Sequence, residues 1–442
     1  MHIYIIKRKI INNIIIFILL GFCFLFSCRK KEFQVEENGL KLNYQDTIHF
    51  KIQNIINGRS ENLFCKIWNI VHMDSILEMS DNKKKFTVFI PSNHGLEQGG
   101  WTLESITKKS KTELIEFIQA HILSINIQPD CLQKKEGNLI VETNFIYPNI
   151  LYSSKGLPYN YSIGLKIMDN QLFINGKEQG NLKLIKTKNG SLYEIIDPLV
   201  PPSKSAWELL QSDPEYSLYT QLMIATDSMY TAIFEKANGY KPQDGHSNAQ
   251  TFQRNSLEKY HFVFKNNKDN DLYVDDLTTW FIPTNKAFHD LGFNSLDDLL
   301  NFNKKRGEPE REWQEPISGY AGFYGIRGEF ATDTLLDYHH NWGLRFADLP
   351  YKQGHMKILV FSNDLPSKSL KTFPIAHYEK LILNGVHKAD LYYLFPFISS
   401  NNSIKLPNEV HNAILTKQDV LTLNGIIQGV DRILVPDSLN IF

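Results

Sequence analysis

FTVFIPSNHGL, residues 86–96, returns in altered form as TTWFIPTNKAF, residues 278–288. Each copy is an apolar run, then Phe-Ile-Pro, then Ser or Thr, then Asn, and Phe89 and Phe281 stand 192 positions apart. Thr87 to Ile90 and Trp280 to Ile282 show no polar alternation, the pattern of a strand covered on both faces. Pro91 and Pro283 stop the ladder, because proline has no N–H to donate. Ser92 or Thr284, with Asn93 or Asn285 behind it, can accept from the free N–H groups of a helix beginning there. A buried strand feeding straight into short helices implies a mixed α/β core.

Working outward, the duplication extends to the ends of both units. Asn189-Gly190, Asp197 and Pro201 close the first as Asn424-Gly425, Asp431 and Pro436 close the second. The closing prolines are 235 positions apart, so the second unit holds about 43 more residues between these landmarks. Ser110 to Glu113 forms a capping box, followed by an apolar stripe of Leu114, Phe117, Ile118, His121 and Ile122. Phe288 and Leu291 lie one helical turn apart before Gly292, and Ser295 to Asp298 offers a second capping arrangement. An amphipathic helix opens the second unit, with Trp207, Leu209 and Leu210 before Asp213-Pro214 and Leu218, Leu222, Met223 and Met229 after it.

Taken in order, these boxes resemble the fasciclin domain, twice. Pro283-Thr284-Asn285-Lys286-Ala287-Phe288 meets the first box well; the first copy is looser, with Gly95-Leu96 in place of Ala-Phe. Leu335-Leu336-Asp337-Tyr338-His339 matches the helix ending in Tyr-His, whereas Ala120 precedes His121 in the first copy. The resemblance implies an α+β fold of two fasciclin-like domains in tandem, residues 49–202 and 203–437. The second is enlarged by inserts near residues 241–268 and 304–330. It also implies adhesion or extracellular ligand binding, with Tyr338 and His339 as candidate contact residues.

The N-terminus adds a location. Lys7, Arg8 and Lys9 precede an apolar run from Ile10 to Phe26, suited to a secretory signal or a short membrane anchor. Leu25-Phe26-Ser27-Cys28 resembles a bacterial lipobox, which implies removal of residues 1–27, lipidation of Cys28 and a tether over residues 28–48. The remaining chain is then expected outside the cytoplasm of a Bacteroidota-like cell, anchored in the envelope and most consistent with the outer membrane. A formal net charge of −1 provides no field to recruit nucleic acid. With 42 % apolar and 21 % charged residues, the composition is that of a globular protein. Cys65 and Cys131 are the cysteines left after Cys28, and spacing alone leaves a bridge between them open.

Chemistry is thin. His121 and His339, placed on apolar stripes, read as core histidines with bonded ring nitrogens. The histidines show no metal spacing, no nucleophile elbow or phosphate loop occurs, and no cofactor is expected. The acidic run Asp269 to Asp276 lacks the glycine and distal glutamate of a calcium loop and reads as a solvated connection. Trp313, Tyr320, Phe323 and Tyr324 lie among Gly and Pro in the second insert, where they could stack on sugar rings, anchor a protein or fold back as a satellite core. The expected function is non-catalytic adhesion or ligand binding. An accessory glycan-binding or scaffold role beside an outer-membrane uptake system stands second, and an envelope hydrolase built in the inserts third.

Overall fold

The computed structural model describes residues 49–78, 84–152, 157–240, 272–274, 277–316, 322–340, 359–366, 377–383, 386–392, 397–406 and 409–435. In the first repeat, α1 (Ile52–Asn57), α2 (Leu63–Ile70) and α3 (Met73–Glu78) lead into β1 (Phe86–Pro91). Then follow α4 (Asn93–Gln98), α5 (Leu103–Lys108), α6 (Lys111–Ala120), β2 (Ile122–Leu123) and α7 (Pro129–Gln133). Strands β3 (Leu139–Tyr152), β4 (Leu157–Met168), β5 (Gln171–Ile174), β6 (Lys177–Asn181), β7 (Leu184–Thr187) and β8 (Gly190–Ile195) complete it.

The second repeat runs through α8 (Ala206–Ser212), α9 (Ser217–Asn238), β9 (Leu272–Val274), β10 (Thr278–Pro283), α10 (Asn285–Asp290) and α11 (Leu296–Arg306). A hairpin of β11 (Glu310–Gln314) and β12 (Phe323–Arg327) precedes α12 (Ala331–His340). The rest is β13 (His377–Leu383), β14 (Val386–Tyr392), β15 (Ile398–Ser400), β16 (Ser403–Lys405), β17 (Ala413–Thr422) and β18 (Gly425–Val430).

The repeated phrase occupies the same place twice. Strand β1 pairs in parallel with β8, Phe86 opposite Gly190 through Pro91 opposite Ile195. Strand β10 pairs in parallel with β18, Thr278 opposite Gly425 through Pro283 opposite Val430. On the far side, β7 and β17 run antiparallel to β8 and β18. The two opening glycines are obligatory. A Cβ at Gly190 (φ +150°) would stand 1.9 Å from the Phe86 carbonyl oxygen, and one at Gly425 (φ +153°) 1.8 Å from that of Thr278.

All six residues of β1 and of β10 are buried, so each strand is covered on both faces. Phe86, Val88 and Ile90 enter a core under the helices with Phe64, Trp68 and Ile118, while Phe89 joins the sheet-side core with Tyr193. Trp280 and Ile282 likewise meet Trp207, Leu222 and Phe288, with Phe281 on the opposite side beside Phe397. Burying each such side chain contributes roughly 1.5–3 kcal/mol, and this drives the strand to the centre.

Beyond these shared parts the two repeats join. The sheet-side core of the first takes in Leu277, Leu359, Phe361, Leu423 and Ile426 of the second. Phe361 lies so close to Gly164 that a Cβ there would come within 2.2 Å of its ring. Lys166 Nζ donates to the Asn363 carbonyl at 2.5 Å and to Asp364 Oδ1 at 3.4 Å, with both charged side chains only 6 % exposed. The Tyr159 hydroxyl donates to the Leu423 carbonyl, and β9 adds in parallel to β3, Ile150 opposite Leu272. A shared apolar core with a buried ion pair sets this junction apart from a flexible linker.

Several expectations are revised. Asp213-Pro214 breaks the opening helix into α8, a 3₁₀ turn at Pro214–Tyr216 and α9, since proline cannot continue the hydrogen-bond ladder. Helix α6 ends at Ala120, so His121 is its C-terminal cap and Ile122 lies in β2 instead of on the helical stripe. The Thr284 side chain does not cap α10; its hydroxyl donates to the Val430 carbonyl. Residues 272–274, expected as solvated connection, are a sheet strand. Cys65 and Cys131 are both free thiols, Cys65 buried and Cys131 exposed. The signal and tether with Cys28, the insert at 241–268 and Tyr320 lie outside the described residues.

Candidate functional site

Three side-chain clamps recur in both repeats and set the scaffold. Asn93 Oδ1 accepts the Leu63 N–H at 2.8 Å, and Asn285 Oδ1 accepts that of Leu218 at 2.9 Å. The asparagine after each Pro-Ser/Thr thus caps a neighbouring helix, α2 or α9, as well as opening its own. Asn189 and Asn424 accept from Ile52 and Ala206 N–H, both at 2.8 Å, and so tie the first residue of α1 and of α8 to the closing strands.

The third clamp is a histidine. His121 Nδ1 donates to the Phe117 carbonyl (2.8 Å) while Nε2 accepts the Leu199 N–H (2.8 Å). His339 Nδ1 donates to the Phe281 carbonyl (2.6 Å) and Nε2 accepts the Leu434 N–H (2.7 Å). A ring that donates through one nitrogen and accepts through the other is neutral. Both rings have 0 % exposure, and burial pushes each imidazole down to about 4, against a smaller opposing effect of the bonded carbonyl. This corrects His339 as a contact residue: no nitrogen is left for a partner or a metal. Tyr338 lies in α12, but its side chain is outside the described residues. Pro91 and Pro283 end the central strands as expected, each within its parallel pairing.

An exposed aromatic surface lies on the hairpin of β11 and β12, where Trp313 stands opposite Tyr324. Trp313 is 48 % exposed, and its ring meets Tyr324 edge-on at 5.0 Å between centroids. Arg311, two residues before Trp313 and so on the same strand face, places its guanidinium 5.5 Å from the Tyr324 ring. The hairpin is anchored by Asn238 near the end of α9. Its Nδ2 donates to the Tyr324 carbonyl and its Oδ1 accepts the Tyr324 N–H, both at 2.8 Å. Gly239 ends α9 at φ +76°, and Tyr240 beyond it is 53 % exposed with its ring against Phe234. An aromatic and cationic surface held this firmly spends little entropy on binding. Neither Arg311 nor Asn238 stood out in sequence; the i, i+2 spacing of Arg311 to Trp313 would have signalled the first once the segment was read as a strand.

Among the described residues no group of three or more His, Cys, Asp or Glu could hold a metal ion. No helix of the described residues is long and apolar enough to cross a membrane. No family model matches the chain, and no curated protein matches it. Among solved structures, the chain is similar to a FAS1 domain pair from the insect cell adhesion molecule fasciclin I. Identity is 13 %, the TM-score is 0.26, and the alignment covers 86 % of this chain and 98 % of that one. The duplication described above stands on the chain's own strand registers and clamps.

Proposed function

We propose that this chain is a tandem fasciclin-like, non-catalytic contact protein, carried outside the cytoplasm on a lipid at Cys28 and binding a partner through the β11–β12 hairpin. The observation that carries this reading is the exposed Trp313 packed on Tyr324, whose ring also meets Arg311, on a backbone pinned by Asn238. Aromatic and arginine side chains on a rigid support are the residue types that dominate binding hot spots. The sequence resemblance to fasciclin boxes and the lipobox-like Leu25 to Cys28 supply the adhesive class and the envelope location, with the outer membrane as the proposed address. Trp313→Ala is expected to lower attachment of cells displaying the protein to a surface or partner cell, with an unchanged melting temperature. Attachment equal to the parent would reject the hairpin as the contact.

A glycan-binding or scaffolding role beside polysaccharide-uptake proteins is the second reading, favoured by the accessible Trp313 ring, since indole faces pack well against sugar rings. Polysaccharide-gel retention that falls with Trp313→Ala and with Tyr324→Ala would support it over protein adhesion. Turnover in a broad ester and glycoside screen would instead favour an envelope hydrolase.

A further inference from the structure

Between the two repeats lies a cleft of about 480 Å³, within the roughly 300–1,000 Å³ of small-ligand sites. One wall is the segment Asp197 to Val200 of the first repeat, and the facing wall comes from Ser362, Asp419 and Leu421 of the second. Both walls are fixed from behind. Gln179 Oε1 accepts the N–H groups of Ile196 (3.1 Å) and Asp197 (3.0 Å), and His121 holds Leu199. Asp419 Oδ1 accepts from Ser362 N (2.7 Å) and Gln428 Nε2 (2.7 Å), while Oδ2 accepts from the Ser362 hydroxyl.

Two donors in this lining are unspent. Gln179 is 5 % exposed, and its Nε2 donates to no group among the described residues. Tyr161 is 3 % exposed; its oxygen accepts from Asn175 Nδ2 at 2.9 Å, and its own proton meets no acceptor among them. Both donors line the cleft and are available to an acceptor placed there. The charges select which. Lys177 pairs with Asp197 at 2.9 Å, so Asp419 leaves the lining one charge negative and disfavours an anion. A bare cation, for its part, has no acceptor to give Gln179 and Tyr161. The apolar stretch of Leu199, Val200 and Leu421 asks for a C–H face as well.

We propose that this inter-repeat cleft binds an uncharged saccharide unit, whose hydroxyls accept from Gln179 Nε2 and the Tyr161 hydroxyl, donate to Asp197, and set a C–H face against Val200 and Leu421. This site is separate from the hairpin and does not depend on that reading.

The test is titration of the intact protein with a panel of methyl glycosides of the common hexoses, with acetate and putrescine as charged controls, followed by calorimetry and thermal shift. Gln179→Glu keeps the oxygen that holds Ile196 and Asp197 but replaces the donating amide nitrogen. Val200→Trp fills the cleft from a position that is 61 % exposed and outside the core. Expected are saturable binding of at least one glycoside, a fall of at least tenfold in both variants, and no change on Trp313→Ala. If Gln179→Glu does not fold, Val200→Trp decides by itself. Binding by no glycoside, binding that survives Val200→Trp, or a preference for acetate or putrescine would overturn the proposal and leave a water-filled cleft.

Discussion

His121 Nε2 accepts the backbone N–H of Leu199 at 2.8 Å, joining the end of α6 to the closing segment of its repeat. His339 makes the same bond to Leu434. Each imidazole therefore acts as a neutral bolt for the last stretch of its own repeat, and protonating Nε2 removes the acceptor.

Acid should release both bolts. Each folded-state value is depressed to about 4 from the ordinary 6.5, so the unfolded chain binds more protons between these values. The stabilisation is complete above pH 6.5 and is lost as pH falls towards 4, on the order of 3 kcal/mol for each histidine. Urea unfolding at pH 7.5, 5.5 and 4 should show a midpoint falling steadily with pH, and a flat profile would contradict the neutral assignment. His121→Gln should flatten part of that slope, leaving the share due to His339.

Alanine at either opening glycine should be severe. Gly190→Ala and Gly425→Ala each drive a methyl into a backbone carbonyl of the paired strand, where no side chain can move aside. A loss on the order of 3 kcal/mol or more is expected for each. A substitution of Gly100 (φ +80°), which has open space around it, is the control for backbone strain without the clash. Equal melting temperatures for Gly190→Ala and Gly100→Ala would show that the close approach is unimportant.

Lys166→Met should loosen the junction between the repeats. It strands the buried Asp364 carboxylate, which keeps the N–H groups of Asn138 and Phe361 but loses its cation. Breaking a buried pair typically costs about 3–5 kcal/mol, and these two remaining bonds place this case near 3. Limited proteolysis should then cut near Ser203 to Lys204 faster than in the parent; an unchanged cleavage pattern would place the stability of the junction elsewhere.

Cys65 and Cys131 should differ sharply in thiol chemistry. Burial pushes the Cys65 thiol up to about 12, outweighing the nearby Arg59 charge, whereas Cys131 is exposed. A chromogenic disulfide reagent should titrate Cys131 rapidly in the native chain and Cys65 only after denaturant is added. Rapid reaction of both in the native protein would mean that α2 opens readily.

Much of the scaffold was legible because it is written in short-range code. The apolar run before Phe-Ile-Pro, the box at Ser110 to Glu113 and the Asn-Gly pairs each rest on neighbouring residues. Their repetition in order reveals the duplication, and each forms as read. The histidines were legible as core residues because they lie among apolar neighbours. Thr284 was misread because a hydroxyl can cap a helix or bond a strand, and only the position of Val430 selects between them.

The sequence by itself therefore determined the repeated units and their buried central strands, since each follows from apolar patterning within a few residues. Tertiary structure alone decided which closing N–H each histidine accepts, why Gly190 and Gly425 must lack a Cβ, that Asn238 anchors the β11–β12 hairpin, and that Gln179, Tyr161 and Asp419 meet across one cleft. Those residues are tens to hundreds of positions apart, and their meeting depends on how whole sheets pack, which no local pattern encodes.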